Sequence, residues 1–144
     1  MKPYYAAMTR RWHTNEHLSH TVDPIGYHGG RMAILALMFW PLCNKWLLAQ
    51  CVTHDLGEYE TGDIPFGAKN KDHGEEDVAR VCMGMDFGTP DARLKFLDIL
   101  DAYLWAQHHA PHVLNRNDWK EQREKILDTA FDLGVDLEEH GITI

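Results

Sequence analysis

The chain has 144 residues, a net charge of −8 and a hydrophobic content of 44%. This length is sufficient for one domain with a buried core, and we expect a single domain over residues 1–144. The negative charge disfavours polymeric nucleic acid as a partner, because phosphate backbones are bound by basic surfaces. No apolar run approaches the length of a membrane-spanning helix, so we expect no membrane association.

The cysteines and the N-terminal residues both indicate a cytoplasmic protein. Three cysteines without CxxC spacing are typical of buried apolar thiols in a reducing compartment. The N-terminal residues lack the apolar core of a signal peptide. Ten histidines are many for a chain of this length, which favours metal chemistry.

The first half of the chain is predicted to be a polar loop followed by two helices. A short helix or turn is expected within residues 1–12. Residues 13–27 are predicted to form a loop, because Pro24 and Gly26 interrupt regular structure. Apolar residues at helical spacing then predict two core helices, one from about Gly29 to Trp40 and one from about Leu42 to Tyr59.

The second half is predicted to contain three more helices, over residues 72–86, 90–109 and 117–134. Thr89 is expected to cap the middle one, whose buried stripe consists of Leu94, Leu97, Leu100 and Leu104. Asp98 and Asp101 lie on or beside that stripe, and a carboxylate there must be paired, hydrogen-bonded or bound to a metal. No stretch alternates as a strand does, so the expected class is all-α, a single compact helical bundle.

Several of the candidate functional residues lie in one short stretch, residues 54–63. His54 and Asp55 end an otherwise apolar helical stripe, and Glu58 and Asp63 follow within nine residues of His54. A polar pair at a core face needs partners, and a metal ion with further ligands is the simplest one. His28, at the start of the preceding helix, and Asp98 would complete a mixed nitrogen and oxygen set that suits Co, Zn, Mn or Mg.

This pattern of an isolated His, a His-Asp pair and a distant helical Asp resembles the HD-domain metal-dependent phosphohydrolases. The longer string HDxxExxTGDxP, from His54 to Pro65, is similar to the YfbR-like 5′-deoxynucleotidases and the related phage dATP triphosphohydrolases. Arg11-Trp12 and Lys69 also match that group, and the resemblance covers roughly residues 10–105. The chain departs from it in being shorter than the cellular members and in having Gly-Tyr-His where Ser-x-His is usual.

The resemblance implies a role for each matching residue. The metal ligands would be His28, His54, Asp55 and Asp98. Water made nucleophilic by the metal would attack the α-phosphorus, and Glu58 or Asp63 would move the proton. The groups that contact the substrate would be Arg11 and Lys69 on the phosphates and Trp12 on the base or sugar.

The resemblance implies a 2′-deoxynucleotide as the substrate, and we expect a dNTP such as dATP in preference to a dNMP because of the basic residues near the proposed site. These basic residues are more numerous than the binding of one phosphate requires. They are Arg10, Arg11, Arg31, Lys69 and Lys71. The products would be deoxynucleoside and triphosphate, with a 5′-deoxynucleotidase acting on dNMPs as the alternative.

Two further readings stay open beside these. One is a non-catalytic nucleotide or metal sensor, against which the intact Glu58 and Asp63 weigh. The other is a cyclic-nucleotide phosphodiesterase, for which His108, His109 and His112 are a surplus of possible ligands. A homo-oligomer is also expected from the large apolar side chains of Phe39, Trp40, Trp46, Tyr103 and Trp105.

Overall fold

The computed structural model of the chain describes residues 2–61 and 80–144, and within these ranges every regular element is helical. This confirms the predicted all-α class. The six α-helices in the described ranges are α1 (Lys2–Ala6), α2 (Ile25–Phe39), α3 (Lys45–Thr53), α4 (Glu58–Thr61), α5 (Ala92–His109) and α6 (Asn117–Asp132). A 3-10 helix, Pro111–Asn115, lies between α5 and α6. None of these helices is both long and apolar enough to cross a membrane.

Helix α2 begins at Ile25, four residues before the predicted start near Gly29. The prediction that residues 13–27 form only a loop was therefore wrong at its C-terminal end. Pro24 fits directly before the first turn, where the N–H that proline lacks would have no partner within the helix. The helix predicted over residues 72–86 lies largely outside the described residues.

The start of α2 is joined to the N-terminal segment by backbone hydrogen bonds. Ile25 N donates to Thr9 O over 2.9 Å, and Gly26 N donates to Ala7 O over 2.8 Å. The first N–H groups of a helix have no partner within it, so these carbonyls satisfy them. The N-terminal segment is therefore held against the end of α2 that carries His28.

The predicted second helix is two helices in the structure. Leu42 precedes α3 and is 99% exposed, and Asn44 caps α3 by accepting two backbone N–H groups. Helix α3 ends at Thr53 instead of continuing to Tyr59, and a turn separates it from α4. The Thr53 hydroxyl donates to Ala49 O, a side-chain bond to the backbone that competes with helix propagation.

Helices α5 and α6 agree with the predicted ranges to within two residues, but the cap of α5 was predicted incorrectly. Asp91, not Thr89, is the N-cap, because its carboxylate accepts a backbone N–H of the first turn. Helix α6 is followed by Gly134 with a φ of 66°, a left-handed conformation that suits glycine after a helix. Leu104 is only half-buried, whereas the stripe residues that the core encloses are Leu94, Leu97 and Leu100.

The main apolar core is enclosed by α2, α3, α5 and α6 and includes the tail after α6. Its most buried members are Met32 and Ala36 of α2, Leu47 and Cys51 of α3, Leu97 and Leu100 of α5, and Ile126 of α6. A smaller cluster joins the N-terminal segment to the end of α5 and consists of Leu18, Ala106, Ala110 and Val113.

Helices α2 and α3 approach each other very closely at Gly29. A Cβ at this position would lie 2.7 Å from the Cys51 carbonyl oxygen and 2.8 Å from Val52 Cα. His28 precedes Gly29 directly, and His54 follows Val52 by two residues. The lack of a side chain at Gly29 is therefore what allows the backbones carrying the two histidines to come together.

The large apolar residues that favoured a homo-oligomer are mostly covered within the chain. Trp46 is 51% exposed, but Tyr103 is buried, and Phe39, Trp40 and Trp105 pack against the two apolar clusters. Homo-oligomerisation stays a prediction. Large exposed apolar side chains at helical spacing lie instead on the outer face of α2, and they are Tyr27, Ile34 and Met38.

Gly29→Ala is expected to destabilise the protein, whereas Gly30→Ala, one position further along α2, is expected to stabilise it slightly. The first variant places a Cβ against the backbone of α3, and the second places it where no atom lies within 4 Å. Overpacking costs about 1–3 kcal/mol, and replacing an unstrained glycine by alanine contributes about 0.4–1 kcal/mol. Urea-denaturation midpoints measure the difference, and equal midpoints would contradict the close approach of the helices.

Candidate metal centre

The side chains of His28 and His54 point their Nε2 atoms at each other, 3.3 Å apart. On the opposite side of each ring, Nδ1 donates a hydrogen bond, from His28 to Asp101 Oδ2 over 2.7 Å and from His54 to Cys51 O over 3.0 Å. Because a carboxylate and a carbonyl can only accept, Nδ1 carries the proton in both rings. Two neutral imidazoles thus present their unprotonated Nε2 atoms to one point, as paired metal ligands do.

Carboxylate oxygens of Asp55, which directly follows His54, and of Asp98, from α5, lie close to the same point. Asp98 Oδ1 and Asp55 Oδ2 are each 3.5 Å from His28 Nε2, and Asp55 Oδ1 is 3.2 Å from His54 Nε2. The ligand atoms of His28, His54 and Asp98 all lie within 4.8 Å of one another, so these three residues form a group that can hold a metal ion. Asp55 adjoins the group, and its role as a fourth ligand stays a prediction.

The charge balance around this group favours a divalent cation. Two guanidinium groups contact four carboxylates here, those of Asp23, Asp55, Asp98 and Asp101. With neutral histidines, these groups carry two net negative charges in a region with little access to water, an arrangement that is costly without a counter-ion. Lys95 also reaches Asp98, but its side chain is 68% exposed, so solvent screens its charge.

The pKa shifts of His54 and Asp98 favour the forms that bind metals, whereas the pKa of His28 is shifted toward the protonated form. Burial lowers the pKa of His54. Burial and the charge of Arg11 act to lower the pKa of His28, but the hydrogen bond to Asp101 and the nearby carboxylates of Asp98 and Asp55 outweigh them and raise that pKa. The pKa of Asp98 lies well below its ordinary value despite its burial, because its contact with the His28 ring and the charge of Lys95 favour the ionised carboxylate. A neutral histidine and an ionised aspartate are the forms in which these side chains bind metals.

Arg11 lies beside the predicted ligands. Its Nε is 3.9 Å from Asp55 Oδ2 and its Nη2 is 3.9 Å from Asp98 Oδ1, and its side chain is only 11% exposed. The backbone fixes this position, because Arg11 N donates to Asp23 O over 3.0 Å. The structure thus brings Arg11 to the site that the resemblance implied, while its contact with phosphate stays a prediction.

Asp23 is a fully buried carboxylate that holds the Arg11-Trp12 segment in place. Its Oδ2 accepts from Trp12 Nε1 over 3.1 Å and from Arg11 Nη1 over 3.4 Å. Arg31 donates to both oxygens, through Nη1 over 2.8 Å and through Nη2 over 3.1 Å. One carboxylate therefore orients both residues of the Arg11-Trp12 pair and a third residue from α2.

Trp12 has a backbone conformation that bulky residues rarely adopt. Its φ of 67° lies in the left-handed region, which costs about 1–3 kcal/mol for such a side chain. The bond to Asp23 and the packing of the indole against Trp119, with ring centroids 6.5 Å apart, hold it there. The Arg11 guanidinium lies over the Trp12 ring at 5.1 Å, so these neighbouring side chains form one unit. Stacking of Trp12 on a base or sugar stays a prediction.

Of the predicted catalytic residues, the structure describes Glu58 only. Glu58 is buried at the start of α4, and its N–H donates to Asp55 O, which places it one turn after the predicted ligand. Asp63 and Lys69 lie outside the described residues. Their proposed roles in proton transfer and phosphate binding stay predictions.

Sequence reasoning assigned no role to Asp23, counted Arg31 only as a nearby cation, and noted Asp101 as a carboxylate that needs a partner without making it a site residue. Asp101 carried a usable signal, because it lies three residues after Asp98 on a helix face otherwise apolar. Asp23 carried none, since an acidic residue next to a proline in a predicted loop is ordinarily exposed.

The surplus histidines lie elsewhere, and none of them joins the one metal-binding group found among the described residues. His109 packs on Trp105 with ring centroids 4.0 Å apart, and His112 contacts the ring of His17 at 5.4 Å. His108 is exposed and contacts His109. A second metal site built from these residues, as the phosphodiesterase reading needs, therefore has no support in this part of the chain.

Comparison of the chain with protein-family models, with curated proteins and with solved structures yields no match.

Asp23→Ala is expected to lower the free energy of unfolding by about 3 kcal/mol, because it removes the buried acceptor that Arg11, Trp12 and Arg31 share and leaves each of these donors with one partner fewer. Asp118→Ala is the matched control. It removes a carboxylate paired with Arg116 where both side chains are more than half exposed, and should cost at most about 1 kcal/mol. Urea denaturation of both variants measures the two effects. Similar losses would show that Asp23 does not organise the site.

Proposed function

We propose that this protein is a metal-dependent phosphohydrolase of the HD-domain type that acts on 2′-deoxynucleotides. The observation that carries the proposal is the convergence of two histidine nitrogens with the carboxylates of Asp55 and Asp98, beside Arg11. These residues come from separate parts of the chain, and their order matches the HD pattern. The motif from His54 to Pro65 supports the same reading independently of the fold.

The donor set fits a divalent transition metal or magnesium. Two imidazole nitrogens favour Co, Zn or Mn, and two carboxylates are also compatible with Mg. The ligands would be His28, His54, Asp98 and Asp55. When bound, such a metal acts as a Lewis acid that acidifies water and polarises a phosphoryl oxygen.

The remaining residues of the proposed site have distinct tasks in hydrolysis. Arg11 donates to phosphate oxygens, and its contacts with Asp23 hold it for that purpose. Glu58 or Asp63 takes the proton of the attacking water and returns it to the leaving 5′-oxygen. A buried carboxyl such as Glu58 is suited to proton transfer, because its surroundings exclude competing bulk water.

Whether the protein prefers a triphosphate or a monophosphate depends on how many of its basic residues are available to bind phosphate. Arg10 donates to the backbone carbonyls of Ser19 and Thr21, and Arg31 donates to Asp23 and Asp101. Both arginines are therefore engaged in holding the fold. The preference for a dNTP such as dATP then depends on Arg11, Lys69 and Lys71, and the engagement of Arg10 and Arg31 makes the 5′-deoxynucleotidase a genuine second candidate.

His54→Ala is expected to abolish metal binding and hydrolysis, whereas Glu58→Ala should keep the metal and lose about 10²–10⁴-fold in rate. Elemental analysis and phosphate-release assays with each metal in turn measure the two effects. His112→Ala is the control, because His112 is exposed and outside the metal-binding group. If His54→Ala binds metal at the wild-type stoichiometry, the proposed metal site is refuted. If the wild-type protein binds metal and nucleotide without turnover, the non-catalytic sensor is favoured.

Incubation with dATP is expected to yield deoxyadenosine and inorganic triphosphate in one step. Water attacks the α-phosphorus and the bond to the nucleoside 5′-oxygen breaks, so the three phosphates stay together. Lys69→Ala should weaken use of dATP more than use of dAMP, because a lysine beyond the reaction centre contacts only the longer phosphate chain. Phosphorus NMR identifies the products. Consumption of dAMP alone would establish the 5′-deoxynucleotidase, and early dADP with orthophosphate would exclude attack at the α-phosphorus.

A further inference from the structure

We propose that Asp101, held by Arg31, is a positioning residue for His28, an inference that rests on the proposed metal centre. Asp101 Oδ2 accepts a hydrogen bond of 2.7 Å from His28 Nδ1, on the side of the ring opposite to Nε2. Both side chains are buried. The Asp101 carboxylate therefore contacts the His28 ring at the nitrogen that faces away from the metal-binding group, and Asp101 is not itself a member of that group.

The Asp101 carboxylate is immobilised by a guanidinium that is itself held in place. Arg31 donates to Asp101 through Nε to Oδ1 over 2.7 Å and through Nη2 to Oδ2 over 2.8 Å. The same guanidinium donates twice to Asp23 and lies over the Trp105 ring at 4.4 Å. A bidentate pair of this kind fixes orientation as well as charge, so the carboxylate cannot turn away from His28.

Helix α5 therefore contacts both nitrogens of one imidazole ring. Asp98 and Asp101 are three residues apart and share a helix face, and Asp98 Oδ1 lies on the Nε2 side while Asp101 Oδ2 lies on the Nδ1 side. The Asp101 carboxylate keeps the proton on Nδ1, so that Nε2 is left as a metal ligand of increased basicity. For His54 the same task is performed by the backbone carbonyl of Cys51, which no side-chain substitution removes.

The experiment measures the affinity of the full-length protein for Co²⁺ by competition with a chromophoric chelator. Asp101→Asn is expected to weaken binding by about 10–100-fold, the usual effect of losing such a partner. Asp91→Asn is the matched control, because Asp91 is also paired with an arginine at α5 but lies outside the metal-binding group. Its Co²⁺ affinity should equal that of the wild type even if its stability falls.

A second readout separates positioning from general stability. The hyperfine-shifted proton NMR spectrum of the Co²⁺ protein is expected to contain two exchangeable imidazole N–H signals, from Nδ1 of His28 and of His54. Asp101→Asn should shift or remove one of them and leave the other unchanged. Arg31→Lys, which keeps the Asp101 carboxylate but loses the bidentate contact, should show a smaller loss of Co²⁺ affinity.

The outcomes distinguish this inference from the proposed function. Wild-type protein without Co²⁺ binding would overturn the metal centre and the inference with it. Wild-type binding together with unchanged affinity and an unchanged spectrum in Asp101→Asn would overturn the positioning role alone. If Asp101→Asn fails to fold, Arg31→Lys decides, because unchanged Co²⁺ affinity there overturns the role and reduced affinity supports it.

Discussion

The candidate site depends on the hydrogen bonds of one buried carboxylate, that of Asp23. A charge without access to water is tolerated only when hydrogen-bond donors surround it, and Asp23 accepts from Arg11, Trp12 and Arg31. Two of these donors belong to a segment with no long helix of its own. The need to satisfy one buried charge thus fixes a strained piece of backbone at the edge of the proposed metal centre.

A chain of hydrogen bonds connects Asp23 to Arg31, Arg31 to Asp101, and Asp101 to His28. Each step is a charged hydrogen bond shorter than 3 Å between side chains that are buried or half-buried. Such bonds are stronger and more directional in a region with little water. Arg31 therefore orders the site through the carboxylates that it binds, which separates it from Arg11, the arginine proposed to contact phosphate.

Close helix packing supplies the other constraint. At Gly29 the backbone of α2 approaches that of α3 at Cys51 and Val52. His28 and His54 flank this contact, and their Nε2 atoms meet at 3.3 Å. The arrangement combines a steric condition, the missing Cβ, with an electrostatic one, the surrounding carboxylates. The two conditions together concentrate donor atoms of the kinds that divalent metals prefer.

The sequence by itself determined the features that depend on local pattern. Apolar spacing identified the helical class and the ranges of α5 and α6, and the exceptions to that spacing identified His54, Asp55 and Asp98 as candidates. Helix periodicity reports which residues face a core, so a polar residue on such a face is visible in the sequence. The start of α2 was missed, because its first N–H groups are satisfied by residues sixteen or more positions earlier in the chain.

Only the tertiary structure decided how charged residues pair across the chain. Arg31 and Asp101 are separated by 70 positions, and no periodicity relates them. Arginine was counted in the sequence as a cation for phosphate, but folding surrounds Arg31 with two carboxylates and an indole ring. The same holds for Asp23, whose burial follows from segments that meet only when the helices pack. Pairing between distant charged residues depends on their distances in the folded chain, and these distances cannot be read from the local sequence.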